Sequence, residues 1–168
     1  MQRWAEGLGC SFRYDAILHN RLDGDPGPLR YRLPPAEVVR LQFTDARDRA
    51  EFREYQARLG PALPAKARLF ECGAGLMTLH VDPAGRAHAC MMWRTDPYDL
   101  LRRPLDAGWH RHLRRLRARP APAGACRACP DRGLCNCCPP LARLESGQLS
   151  QAVAYHCALA DERKRQAD

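Results

Sequence analysis

The clearest alternation of apolar and polar positions runs from Cys10 to His19. Cys10, Phe12, Tyr14, Ala16 and Leu18 share one face against Ser11, Arg13 and Asp15, which predicts a half-buried strand. Asn20 to Pro28 (N-R-L-D-G-D-P-G-P) is a turn-rich loop. Pro34 and Pro35 suit the first turn of a short helix over A-E-V-V-R-L, because their missing donors cost nothing there. Thr44 is placed to cap a second helix in which Phe52, Tyr55 and Leu59 recur at helical spacing, with Gly60-Pro61 as its stop. Leu63 to Arg68 has the composition of a linker. The first third thus predicts a strand, a loop and helices, with too little apolar surface to stand alone.

Beyond it, Leu76–Val81 and Arg86–Cys90 are short alternating runs either side of D-P-A-G, the pattern of a hairpin with Cys72 and Cys90 at its open ends. Asp99 to Asp106 is a polar connection. Ala107 to Arg119 predicts an amphipathic helix with Trp109, Leu113 and Leu116 as its apolar stripe and an arginine face opposite. Leu141 to Lys164 predicts a helix carrying Leu144, Val153, Tyr155 and Cys157. The polar tail E-R-K-R-Q-A-D is expected to fray.

The stretch that fits no regular element is Cys126 to Cys138, C-R-A-C-P-D-R-G-L-C-N-C-C, set among Pro120, Pro122, Pro130, Pro139 and Pro140. Proline removes backbone donors and fixes φ, so the run is a loop shaped by whatever its sulfurs bind. The chain has nine cysteines in 168 residues, an odd number for disulfides alone. No signal peptide is visible and no apolar run reaches the roughly 20 residues of a membrane span. The expected compartment is the cytoplasm, where clustered thiols more often mean metal than disulfide.

Charge adds little. The net charge of +8 rests on arginine, with lysine only at Lys66 and Lys164, as a GC-rich coding sequence also gives. No aromatics interleave the arginines of the Ala107–Arg119 helix as a base-stacking platform requires, so nucleic acid is disfavoured as a partner. His80, His88 and His156 are expected to be structural or solvated, since thiolates are already in excess. No nucleophile–base arrangement and no Gly-rich phosphate loop is present.

Cys126 and Cys129 form a C-x2-C grip for one metal or for adjacent corners of a cluster. Cys135 follows, then Cys137 and Cys138, whose adjacent side chains diverge too much to serve one metal together. With Cys72, Cys90 and Cys157, eight cysteines match two four-thiolate centres. Zinc is the alternative to iron–sulfur, giving a structural module for protein or nucleic-acid contacts through Arg111 to Arg119. Zinc sites usually pair two C-x2-C knuckles, and only one is clean here.

The order Cys72, twelve residues, Gly85, four residues, Cys90, then Cys126-x2-Cys129-x5-Cys135, a further cysteine and Cys157 resembles the SPASM domain. That domain is the C-terminal extension of radical SAM enzymes that modify peptides and proteins. The resemblance spans residues 68–168, and F-R-Y-D-A-I-L-H-N-R-L-D-G is similar to the end of the barrel that precedes it in such enzymes. It implies an α+β fold in which a barrel remnant of strand and helix over 1–66 leads into a Cys-rich domain over 67–168, with a β-hairpin, an irregular cluster-binding loop and flanking helices.

It also implies two auxiliary [4Fe–4S] clusters, serving electron transfer or substrate positioning. One would use Cys126, Cys129, Cys135 and Cys157. The other would use Cys72, Cys90 and Cys138, with Cys137 as the alternative to Cys138, an arrangement in which three protein thiolates can suffice. Pro139 stands where the family places its last loop cysteine, and Cys10 is expected to be a buried apolar-face residue. The SAM-cleaving C-x3-C-x2-C spacing occurs nowhere. The implied partners are therefore a radical SAM barrel, as a separate protein or a missing N-terminal part, and a peptide or protein substrate. The chain would not be catalytic alone.

Overall fold

A computed structural model describes residues 1–12, 14–59 and 67–167. The Gly60-Pro61 stop, Arg13 and most of the 63–68 linker lie outside the described residues, as does the side chain of Leu59. The elements are α1 (Gln2–Gly7), α2 (Pro35–Gln42), α3 (Ala46–Leu59), β1 (His80–Val81), β2 (Arg86–His88), β3 (Tyr98–Asp99), a helix α4 over 105–117, α5 (Pro139–Ser146) and α6 (Ala154–Ala167). The fold is α+β, with one antiparallel sheet in the order β1-β2-β3. Among the described residues no helix is long and apolar enough to cross a membrane.

The hairpin forms about the D-P-A-G turn, with His80 opposite His88 and Val81 opposite Ala87. Its strands are shorter than the alternating runs suggest. The turn is organised by Asp82, whose Oδ1 accepts the backbone N–H groups of Ala84 and Arg86, both at 3.0 Å. Its Oδ2 takes Arg86 Nε at 2.9 Å, His88 Nε2 at 3.2 Å and Arg94 at 3.1 Å. Burial pushes this carboxyl up, but the Arg86 backbone, His88 and Arg86 guanidinium contacts outweigh it and hold the group well below the ordinary carboxylate range.

A carboxyl depressed in the folded state stabilises above its unfolded pKa, near 4, and loses that contribution as pH falls. Asp82→Asn is therefore expected to lower the thermal midpoint at neutral pH. The gap from the native protein should narrow below about pH 4, and a gap that persists in acid would contradict this role.

In α4, π geometry over Gly108–Leu113 separates the α turns Leu105–Ala107 and Arg114–Arg117. Tyr98 packs so tightly on Gly108 that an added Cβ there would meet its ring at 2.6 Å, so only glycine fits. The first core joins this helix to the hairpin, through Leu69, Phe70, Ala89, Trp93, Leu113 and Leu116. Phe70 and Trp93 meet edge to face at 5.7 Å.

The second core joins the N-terminal third to the last helix. Val38, Val39 and Phe43 pack with Leu159 of α6, flanked by Ala16, Ile17, Leu33, Phe52 and Tyr155. Pro35 opens α2 as predicted. Two expectations are corrected here. No strand forms among the described residues of 10–19. Asp15 Oδ1 accepts the Ile17 N–H at 2.9 Å, turning the backbone, and the consecutive Ala16 and Ile17 both face the core, which alternation forbids. Thr44 does not cap α3, because its hydroxyl donates back to the Arg40 and Leu41 carbonyls at the end of α2. Asp45 takes the capping role, accepting the Arg47 N–H at 2.8 Å.

The single long helix over 141–164 is also corrected. Gly147 sits at φ 79°, a left-handed conformation that ends α5, and α6 begins only at Ala154. Nor does the described part of the tail fray. Arg163 is buried, donating from Nε to Gln42 Oε1 at 3.1 Å and from its other end to the Leu134 carbonyl, and Gln166 reaches the Ala36 carbonyl.

Candidate iron–sulfur site

The cysteine loop is held at three places. At its entry, backbone pairing joins Leu69 N–H to the Arg119 carbonyl and Ala121 N–H to the Ala67 carbonyl, both at 3.0 Å. This puts the segment that leads to Cys72 beside the start of the loop. Within the loop, short 3-10 turns over Ala125–Arg127 and Pro130–Gly133 carry Cys126 and follow Cys129. The Cys135 N–H closes on the Asp131 carbonyl at 2.9 Å. At its exit, Cys138 caps α5, with Pro139 and Pro140 buried in the first turn of that helix.

The last helix grips the same loop. Lys164 pairs with Asp131, and Arg163 holds the Leu134 carbonyl. Cys157, Asp161 and Lys164 recur at helical spacing, so α6 presents Cys157 on the side that grips the loop. The row E-R-K-R gives no hint that one of its arginines is buried, and this clamp was not foreseen.

Two larger cavities result, beside a narrow one of about 20 Å³ that brings Cys126, Cys137 and Cys138 together. One, of about 190 Å³, is lined by Cys126, Cys129, Cys135, Cys137 and Cys157. The other, of about 640 Å³, is lined by Cys72, Cys90, Cys135, Cys137 and Cys138, under Tyr55 and Phe70. Cys135 and Cys137 form part of the wall of both, whereas Cys138 belongs with Cys72 and Cys90 and not with Cys157. Cys10 lines neither; it is exposed, its thiol pointing to the Leu8 carbonyl, which corrects the expectation that it is buried.

Electrostatics couples the first group. Burial raises the Cys135 thiol, and negative charge on Cys157, Cys126 or Cys129 raises it further. Burial raises Cys157 as well, with Cys126 and Cys129 again adding to the shift. Cys137 is raised most, first by burial and then by Cys135, Cys138 and Cys126. Thiolates crowded in this way repel unless a cation stands among them. Cys137 N–H also lies 3.4 Å from Cys135 Sγ, a hydrogen bond to sulfur.

None of the nine cysteines forms a disulfide. Among the described residues no group of three or more Cys, His, Asp or Glu is gathered closely enough to hold a single metal ion. The buried histidines are engaged elsewhere. His88 bonds Asp82, and His156 lies 3.4 Å from Glu145, burial pushing both rings down toward the neutral form. His80 stacks 6.1 Å from His88. Comparison with family models, curated proteins and solved structures finds no match for the chain.

Proposed function

We propose that the protein binds two [4Fe–4S] clusters as the SPASM-like portion of a radical SAM system that modifies a peptide or protein. The observation that carries this reading is the sorting of the thiols. Cys126, Cys129 and Cys157 line one cavity and Cys72, Cys90 and Cys138 the other, with Cys135 and Cys137 in the wall of both. They come from segments far apart in sequence, and the thiols found at only one of the two cavities are compatible with the two ligand sets that the resemblance implies.

The donor set fits the group. Thiolates are the usual ligands of such clusters, each bound to a different corner iron, so they stand around a volume and do not converge on a point. A tetrahedral zinc site instead draws four donors to about 2.0–2.3 Å of one ion. When bound, the clusters would supply one-electron transfer. The residues of this chain would set its terms: the Cys137 N–H donates toward Cys135 Sγ, and Tyr55, Phe70 and the two prolines of α5 limit water at the second cavity.

The second centre has three thiolates by this assignment, which leaves one iron for solvent, substrate or Cys137. With no C-x3-C-x2-C spacing in the chain, cleavage of S-adenosylmethionine falls to a barrel outside it. Anaerobic reconstitution is expected to give broad absorbance in the blue region. Cys157→Ala should remove about half of the iron and Cys72→Ala the other half. Cys138→Ala should resemble Cys72→Ala. A protein that takes up no iron, or variants that keep the full complement, would overturn the proposal.

A further inference from the structure

Between α4 and the segment that leads into the hairpin lies a groove of about 390 Å³ whose walls include Arg68, Leu76, Trp109, His110, Arg114 and Arg117, and whose lining holds no acidic residue. Charge elsewhere along this helix is locally balanced. Arg115 and Arg119 both reach Asp96, at 3.1 Å and 3.0 Å, and at the groove itself His110 lies 3.3 Å from Asp106. The groove arginines differ. Arg68 and Arg114 are exposed and have no acidic partner among the described residues, and the same holds for Arg111 on the adjoining ridge. Arg117 donates to the Cys72 and Ala74 carbonyls at 2.8 Å and 2.6 Å, which fixes its position without cancelling its charge.

An apolar side chain completes the site. Leu76 is 58% exposed, far more than a side chain serving only the core. Trp109 packs against that core, so its ring forms a floor and is not a free stacking platform. Guanidiniums match carboxylates in bidentate geometry, and Leu76 in the same groove offers a contact for an aliphatic side chain. A nucleic acid would require exposed aromatic faces interleaved with the charge, and the groove has none.

We infer that this groove is a docking site for an acidic, aliphatic-bearing peptide segment of a protein partner. Carboxylates would engage Arg68 and Arg114, and an aliphatic side chain would rest on Leu76 above Trp109. Arg117 joins the groove to the Cys72 segment, so a bound segment would lie beside the second cysteine cavity. The inference uses only the charge and shape of the groove and stands independently of whether the thiols hold iron.

The test is fluorescence anisotropy with the full chain, purified anaerobically, and a short labelled peptide repeating Glu-Leu-Ser-Glu. Binding is expected, weakening as salt rises from about 50 to 300 mM because the contacts are exposed. Arg68→Glu combined with Arg114→Glu should reduce affinity at least about tenfold, and Arg30→Glu, outside the groove, by less than about twofold. Circular dichroism checks the fold. Should the reversed pair unfold, Arg68→Gln with Arg114→Gln carries the same comparison. Absence of binding, equal loss in Arg30→Glu, equal binding of a Ser-for-Leu peptide, or tighter binding of a single-stranded oligouridine would each overturn the inference.

Discussion

Cys129→Ala is expected to abolish the first centre and, with it, the ordered cysteine loop and its packing on α6. Cys129 lines the 190 Å³ cavity directly before the turn over Pro130–Gly133. That turn supplies both the Asp131 carbonyl, which closes on the Cys135 N–H, and the Asp131 carboxylate, which pairs with Lys164. The loop has little apolar burial of its own, so ligation has to supply much of its ordering free energy. The whole margin of a domain is only about 5–15 kcal/mol, and losing one centre should consume most of it. Cys10→Ala is the control, because Cys10 is exposed and lines neither cavity. Circular dichroism and limited proteolysis should show loss of structure in the first variant alone. Equal behaviour of the two would contradict the ligand assignment.

The second large effect is expected at Glu145, which lies on α5 behind the cysteine loop. Its carboxylate takes both ends of the Arg32 guanidinium, at 2.5 Å and 3.1 Å, and faces His156. The Arg32 and Glu145 side chains are 10% and 4% exposed. The Arg32 guanidinium also lies 4.2 Å from the centroid of the Tyr155 ring. Removing one partner leaves a buried charge without compensation, which costs about 3–5 kcal/mol. Glu145→Ala should therefore lower the denaturant midpoint sharply, and Glu145→Gln should recover part of the loss by restoring a hydrogen bond. A midpoint unchanged in Glu145→Ala would show that the N-terminal third is not held to α5 in this way.

This clasp shows where sequence reasoning stops. The D-P-A-G hairpin, the helix opened by Pro35 and the stripe of Leu113 and Leu116 were legible because each depends on residues a few positions apart. That the cysteines of the loop lie near one another was legible for the same reason, whereas nothing local to Cys157 marks its place beside them. Alternation over Cys10–His19 misled because a strand needs a neighbour to pair with, and none is supplied there. Gly147 lies inside an otherwise helical pattern, and its left-handed conformation divides that pattern into α5 and α6.

Arg32 and Glu145 stand 113 positions apart, and Arg163 is one arginine in a polar row. Nothing local marks either as buried. Asp82 offered a weak signal, since an aspartate opening a turn often accepts its backbone N–H groups. Its recruitment of His88 and Arg94 depends on tertiary structure. The groove arginines were visible as a charged face, but telling the neutralised from the unneutralised required the position of Asp96.

The most direct test of the central claim is the iron, zinc and acid-labile sulfide content of protein purified without oxygen. Two [4Fe–4S] clusters require about eight irons per chain with matching sulfide, and that is the predicted result. Zinc without sulfide would contradict the account and return the cysteine loop to a purely structural role.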